Sequence, residues 1–173
     1  MFMGAPGPTY DGPGATRDTA LPAGYDHLDV ERRIGHGRAA FERAVEGLFT
    51  WRMHQRAGLR LVRVSAARAA PGVVVVVRLG PVRIPCRVVY TVDEPDHRGF
   101  GYGSLPGHPF SGEELFAVRL TGDGEVRARV RAFSRPVTLL PRLGGPVTPV
   151  VQRLAARRYL GALRGLARDG EGG

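Results

Sequence analysis

Strand-length segments follow one another between residues 59 and 134, each separated from the next by a short stretch that favours a turn. The separators include Gly80-Pro81 and Gly122-Asp123-Gly124. Such short connections join antiparallel neighbours, because a parallel pair needs a crossover of a dozen residues or more. The pattern therefore predicts an antiparallel sheet, with strands at residues 59–65, 73–79, 84–92, 98–105, 114–120 and 126–134.

Helical patterns stand on both sides of this run. Residues 25–34 have the pattern of a first strand, and residues 38–57 repeat apolar side chains at helical spacing. The apolar phase changes towards Trp51 and Met53, which predicts a break into two short helices. The segment 150–167 is predicted to be one long C-terminal helix, because it is rich in leucine and alanine.

The C-terminal helix is predicted to have one basic face and one apolar face. A stripe towards solvent is formed by Arg153, Arg157, Arg164 and Arg168. The predicted buried arc comprises Val147, Val151, Leu154, Ala155, Ala162, Leu163 and Leu166, with Tyr159 among them. Arg158 falls inside that arc. Two interpretations stay open: its charged end extends to the helix edge, or it is a cavity-facing cation that pairs with an acidic group.

Glycine alternates with aromatic residues in Gly99-Phe100-Gly101-Tyr102-Gly103. In a strand, the three glycines share one face, and Phe100 and Tyr102 share the other. Glycine weakens a strand, so three in register predict a bend, a bulge or a surface that another group approaches closely.

Length and composition favour a single domain. The chain has 173 residues and one cysteine, Cys86, which excludes an intramolecular disulfide. Residues 1–22 are rich in Gly and Pro and are predicted to be a flexible or irregular arm, residues 23–168 the domain, and residues 169–173 a disordered tail. No signal-like or membrane-spanning apolar run is seen, so we expect a cytoplasmic protein.

The formal charge of +9 raises the question of nucleic-acid binding. All 25 basic residues are arginine, and both lysine and asparagine are absent, which is typical of a GC-rich genome. The arginines are spread along the whole length and do not interleave with aromatic residues as in RNA-binding segments. Nucleic acid is therefore an unlikely partner, and the oligomeric state is not predicted.

A set of aromatic and apolar side chains is predicted to line a ligand cavity between the sheet and the last helix. The alternative for most of them is plain core packing. These candidate ligand-binding residues are Tyr90, Phe100, Tyr102, Phe116, Leu154, Arg158 and Tyr159.

Candidate catalytic residues follow the glycine-rich strand. His108 and Glu113 share one loop region, and a histidine near a carboxylate is the usual start of acid-base chemistry. Glu113 would orient His108, and Arg135 or Tyr102 would stabilise negative charge. The alternative is structural: His108 caps a backbone group, and Glu113 and Glu114 face solvent or pair with local arginines. No metal site, nucleophile or cofactor motif is found.

Several sequence blocks together resemble DUF1990, a family of domains of unknown function in bacteria and plants. The blocks occur in the family's order at residues 50–54, 84–90, 93–95, 99–103, 105–108, 112–114, 132–136 and 142–146. One departure is Phe110, where an acidic residue is expected in the family.

The resemblance implies an α+β helix-grip fold of the START-like, birch-pollen-allergen-like superfamily. In this fold a curved antiparallel sheet of about seven strands wraps around a long C-terminal helix, with a short helix pair after the first strand. The resemblance to this superfamily implies no reaction, since function depends on the site and not on the fold. Three hypotheses follow: binding of a small apolar or amphipathic molecule, an enzyme acting on a cyclic or aromatic metabolite, or a basic module for nucleic acid or an anionic surface.

Overall fold

The structure, a computed structural model, describes residues 5–137 and 147–170. Within these residues the chain forms a seven-stranded sheet, three α-helices and one 3-10 turn at Ala15–Arg17. In chain order the elements are β1 (Asp26–His36), α1 (Arg38–Phe49), α2 (Arg52–Arg56), β2 (Arg60–Val64), β3 (Val74–Leu79), β4 (Val82–Glu94), β5 (His97–Ser104), β6 (Phe110–Leu120), β7 (Glu125–Pro136) and α3 (Val147–Arg168).

The sheet is antiparallel throughout, with strand order β1-β7-β6-β5-β4-β3-β2. Strands β2 to β7 therefore form a meander, and β1 joins its far edge beside β7. The helix pair α1 and α2 connects the two edge strands, and α3 packs against the concave side. The predicted α+β helix-grip fold is confirmed.

The two faces of the sheet have different neighbours. We call the face that meets α3 the inner face and the opposite one the outer face. Alternation along the strands sends Phe100, Phe116 and Val130 to the inner face, where they are fully buried in one core cluster with Leu160 and Leu163 of α3. Burial of such side chains contributes about 2 kcal/mol each. This layer is the main core.

The predicted break between the two short helices occurs at Trp51. This residue adopts left-handed backbone angles with φ 66°, a conformation that costs about 1 kcal/mol or more for a bulky side chain. Its indole is 1% exposed and donates a hydrogen bond from Nε1 to the carbonyl oxygen of Ala66, at 3.2 Å. Burial of the ring in the core holds the strained turn in place.

Several boundaries differ from the sequence prediction. Strand β6 begins at Phe110, inside the predicted loop, because its first residues pair with the end of β7. Helix α3 begins at Val147, three residues earlier than predicted. The sequence block at residues 142–146 and the last residues of the predicted tail, 171–173, lie outside the described residues.

The buried arc of α3 is rotated from the predicted one. Ala156, Leu160 and Leu163 are buried, whereas Val151 and Leu154 are 48% and 51% exposed. The prediction that Val151 and Leu154 belong to the buried face was wrong. On the helical wheel the apolar arc is centred near Leu163, and the first turns present both residues to solvent.

Candidate functional site

The glycines of β5 lie on the outer face and make room for two tyrosine rings. A Cβ atom on Gly101 would overlap the ring of Tyr90, and one on Gly103 would overlap the ring of Tyr10. Gly99 similarly lies against the backbone of β6. The space left by the alternating glycines is therefore filled by side chains, one of which comes from the N-terminal arm.

Tyr90 does not share a face with Cys86 and Val88. A β-bulge between Val88 and Tyr90 shifts the register, so that Tyr90 pairs with Gly101 on the outer face. There it packs with Leu115 and Ala117 in a small second core. The prediction that Tyr90 lines the interior was wrong, because one extra residue in a strand reverses the direction of every later side chain.

Glu113 holds the N-terminal arm onto the outer face. The residue is 2% exposed, and its carboxylate accepts hydrogen bonds from Tyr10 Oη at 2.7 Å, Gly14 N at 2.6 Å, Thr16 N at 3.0 Å and Thr16 Oγ1. The Thr16 hydroxyl also lies 2.7 Å from Tyr90 Oη. The arm is irregular in backbone conformation, and this carboxylate fastens it to β6.

Arginines of β7 hold the same arm and pair with β1. The Arg131 guanidinium donates to the carbonyl oxygens of Thr16, Asp18 and Thr19, at 2.8, 2.5 and 3.0 Å. Arg129 pairs with Asp29. Arg127, Arg129 and Arg131 thus have carboxylate or carbonyl partners.

The predicted pair of His108 and Glu113 does not form. His108 Nδ1 accepts a hydrogen bond from the backbone N–H of Phe110 at 2.9 Å, and burial lowers the pKa of His108 to about 4. Both carboxylate oxygens of Glu113 are bonded to the arm. The prediction that Glu113 orients His108 was wrong, and His108 caps a turn. Arg135 is exposed and stacks on Tyr25, with 5.0 Å from Cζ to the ring centroid.

Glu114 points to the other side of β6. It pairs with Tyr102 on β5 and Ala132 on β7, and it is in phase with the buried Phe116. The carboxyl group is therefore on the inner face, and the residue is half-buried. No hydrogen bond or ion pair joins it to any part of the chain that the structure describes.

Aromatic rings surround this position. Phe116 lies 5.2 Å from Tyr102 and 5.0 Å from Tyr159 between centroids, both edge to face. Burial, with smaller contributions from Glu114, raises the pKa of both Tyr102 and Tyr159, so their hydroxyls stay protonated. Cys86 is buried nearby, and burial followed by Glu114 raises its pKa as well.

His54 completes the cluster from α2. It is fully buried, with ring contacts to Tyr102, Phe116 and Tyr159 at 5.6 to 5.7 Å. Its Nε2 lies 3.4 Å from Tyr102 Oη, and its Nδ1 has no hydrogen-bond partner. Burial lowers the pKa of His54 to about 3, so the ring is neutral. The inner cluster is therefore Glu114, Tyr102, Tyr159 and His54.

Burial raises the pKa of Glu114 to about 8. Burial among these rings makes ionisation of the carboxyl group unfavourable, and it is mostly protonated at neutral pH. A protonated carboxyl group donates a hydrogen bond, as does the Tyr159 hydroxyl, whereas the Tyr102 hydroxyl is directed towards Tyr159. The cluster is therefore suited to a neutral polar group that accepts hydrogen bonds.

The side chains at one end of the inner face are less buried than those in its middle. Phe100 and Phe116 are fully buried, so side chains fill the space beneath them. Around Glu114 the exposure increases, because Ala132 and Ser134 are only half-buried. Gln152 of α3 donates a hydrogen bond to Ser134 there. We call this region, defined by Glu114, Ala132, Ser134 and Gln152, the open end.

Two predicted lining residues lie elsewhere. Leu154 is exposed on the solvent side of α3. Arg158 is also exposed and borders a shallow groove of about 600 Å³ between α2 and α3, together with Arg56, Gly58 and Gly161. Neither side chain faces the sheet, since both lie on the outward half of the helical wheel. The prediction that Leu154 and Arg158 face a cavity was wrong.

Comparison with known proteins supports the family that the sequence blocks resemble. The family model "Domain of unknown function (DUF1990)" matches residues 9–162. The chain belongs to the DUF1990 family. It is 37% identical over 140 residues to a UPF0548 protein of Deinococcus radiodurans, covering 73% of this chain and 71% of that protein. A UPF0548 protein of Arabidopsis thaliana is 32% identical over 133 residues, and the match covers 72% of this chain and 64% of the plant protein.

Solved structures share the architecture at low sequence identity. A hypothetical protein from Helicobacter pylori has a TM-score of 0.67 and 8% identity, covering 83% of this chain and 88% of its own. Ara h 8.0201 has a TM-score of 0.57 and 13% identity, covering 85% of this chain and all of its own. These similarities show the helix-grip fold and leave the chemistry of the site to its residues.

The described residues contain no group of His, Cys, Asp and Glu side chains placed to hold a metal ion. No helix within residues 5–137 or 147–170 is long and apolar enough to cross a membrane.

Proposed function

We propose that the protein binds a small amphipathic molecule at the open end of the inner face. The observation that carries this proposal is the half-buried Glu114 carboxyl group, which lies on the inner face without a partner among residues 5–137 and 147–170. Polar groups in such surroundings are nearly always hydrogen-bonded, so an unpartnered one calls for a missing ligand or solvent partner.

The chemistry of the cluster defines the polar part of the ligand. Glu114 in its protonated form and Tyr159 donate hydrogen bonds, which suits a carbonyl or ether oxygen. The apolar part of the ligand packs on the half-buried side chain of Ala132 at the open end. The small molecule enters at the open end, because the interior below Phe116 is filled.

The test is native mass spectrometry of gently purified protein, followed by solvent extraction of any bound molecule. The variants Glu114→Ala and Tyr159→Phe are compared with wild type, and Glu94→Gln serves as the control because Glu94 is exposed. Wild type and control are expected to retain the ligand. Each inner variant is expected to lower ligand affinity by about three- to tenfold, the effect of one hydrogen bond. The proposal is overturned if wild type is purified without a bound small molecule and also fails to bind one from the cell extract.

A second candidate function is acid-base catalysis by Glu114 on the same ligand. A carboxyl group with a pKa of about 8 in apolar surroundings donates or accepts a proton efficiently near neutral pH. Incubation of the extracted ligand with wild type and Glu114→Gln in deuterium oxide tests this directly. Deuterium incorporation that depends on Glu114 supports catalysis, and equal incorporation with both proteins excludes it.

A further inference from the structure

The outward side of α3 combines exposed apolar and basic side chains. Val150, Val151 and Leu154 are 53%, 48% and 51% exposed, unusual values for large apolar residues in the first turns of a helix. At 3.6 residues per turn these side chains share one side of the helix. Arg153 and Arg157 border them on one side, and Arg158 follows Leu154 by one turn, between Leu154 and Val151 on the helical wheel. We call these six residues the α3 surface.

The charge of α3 has no internal compensation. Helix α3 contains five arginines and no Asp or Glu. None of the five forms an ion pair with any residue in 5–137 or 147–170, whereas Arg127 and Arg129 on the outer face pair with Glu31 and Asp29. The α3 surface is therefore a concentration of uncompensated positive charge around an apolar centre.

We propose that the α3 surface docks onto an anionic lipid bilayer. Arginine side chains bind lipid phosphates, and valine and leucine side chains enter the interface between headgroups and acyl chains. The helix would lie in the plane of the membrane, since its arginines exclude a spanning position. Docking does not require the Glu114 site, so the two proposals stand independently.

The apolar centre favours a membrane over nucleic acid. Phosphate backbones are bound by cations and hydrogen-bond donors, and they have no use for three exposed aliphatic side chains. The sequence-based hypothesis of a basic module also required the arginines of α3 and those of β7 to form one surface. They do not, because the β7 arginines are on the outer face, with the sheet between them and α3.

The experiment is co-sedimentation with phosphatidylcholine vesicles, with or without phosphatidylserine. Wild type is expected to bind only the anionic vesicles, and added salt should weaken binding. The double variant Arg153→Gln/Arg157→Gln is expected to bind about twenty-fivefold more weakly, since each arginine contributes about fivefold. Leu154→Ser is expected to lose about fivefold through the lost apolar contact.

The matched control removes the same charge from the outer face. In Arg83→Gln/Arg87→Gln, two arginines of β4 that face away from α3 are neutralised. This variant is expected to bind within twofold of wild type. Equal weakening by the control and the α3 double variant overturns the proposal, because binding would then depend on net charge alone.

A parallel titration with duplex DNA separates membrane from nucleic acid. The proposal is overturned if wild type does not bind anionic vesicles, or if it binds DNA more tightly than vesicles and Leu154→Ser has no effect on either. Circular dichroism of each variant verifies that the exposed substitutions leave the fold intact. If Leu154→Ser loses binding to vesicles but not to DNA, the result supports docking of the α3 surface onto a lipid bilayer.

Discussion

Glu113 and Glu114 are adjacent in the chain and have opposite surroundings. Glu113, on the outer face, accepts four hydrogen bonds from the N-terminal arm. Glu114, on the inner face, has none within the described chain, and burial raises its pKa to about 8. The comparison teaches that a satisfied buried carboxylate holds the fold together, whereas an unsatisfied one marks a place where something else binds.

The largest effect is expected on the outer face. Glu113→Ala leaves Tyr10 Oη, Gly14 N and the Thr16 donors without an acceptor in a buried position. We expect the free energy of unfolding to fall by about 3 to 5 kcal/mol. Urea denaturation measures the loss, and limited proteolysis should now cut the arm before residue 20. If the free energy of unfolding changes by less than about 1 kcal/mol and the arm is not cut, Glu113 does not hold the arm in place.

A smaller loss is expected where the outer face receives Tyr90. In Gly101→Ala the new methyl group overlaps the Tyr90 ring, and overpacking of this kind costs about 1 to 3 kcal/mol. Gly122→Ala is the matched control, because nothing lies within 4 Å of a Cβ there. Urea denaturation compares the two. Equal stability of both variants would show that the glycine row is not needed for the tyrosine.

Substitution of Glu114 should raise the free energy of unfolding at alkaline pH, whereas the two outer-face substitutions lower the free energy of unfolding. The folded-state pKa of Glu114 is about 8 against an ordinary value of 4.5. The folded protein thus binds the proton more tightly, and stability falls as pH rises from about 4.5 to 8. Glu114→Gln removes this dependence, and we expect it to be about 1 to 3 kcal/mol more stable than wild type at alkaline pH. At acidic pH the two should be nearly equal.

Urea denaturation at several pH values checks this prediction. Glu94→Gln is the control and should follow wild type at every pH. If Glu114→Gln loses stability at high pH as wild type does, the inner carboxyl group is not the one that is destabilised by ionisation.

The smallest effect is expected for His54, at the acid end. Its folded-state pKa of about 3 lies below the ordinary 6.5, so the unfolded chain binds the proton first. Stability is therefore lost as pH falls from about 6.5 towards 3. His54→Phe keeps a ring among Tyr102, Phe116 and Tyr159, and we expect a shallower acid slope worth about 1 kcal/mol. Thermal unfolding at pH 7 and pH 4 gives the comparison, and an unchanged slope contradicts it.

Local patterns were enough to predict the order of the elements. Turn residues separated the strands, and apolar periodicity located the helix pair and its break near Trp51. Alternation along β6 could also have placed Glu114 on the inner face. Phe116 was predicted to face inward, and Glu114 is two residues before it. The signal was missed because a glutamate was assumed to face solvent, as most glutamates do.

Other site residues could not be placed from the sequence. The bulge before Tyr90 has no distinctive composition, yet it reverses the side of the strand on which Tyr90 lies. The bonding of Glu113 to Tyr10 and Thr16 joins residues about a hundred positions apart. His54 lies in the short helix after Trp51, and its contact with Tyr102 arises only when that helix packs near β5.

By itself the sequence determined the α+β class through its local periodicity, and the antiparallel meander through its short connections. It also indicated the DUF1990 family, because the short sequence blocks occur in that family's order. Only the tertiary structure decided which buried groups are satisfied. Hydrogen-bond partners come from distant strands and from the N-terminal arm, so their presence at Glu113 and absence at Glu114 depend on packing. That difference, between two identical neighbouring side chains, locates the candidate site.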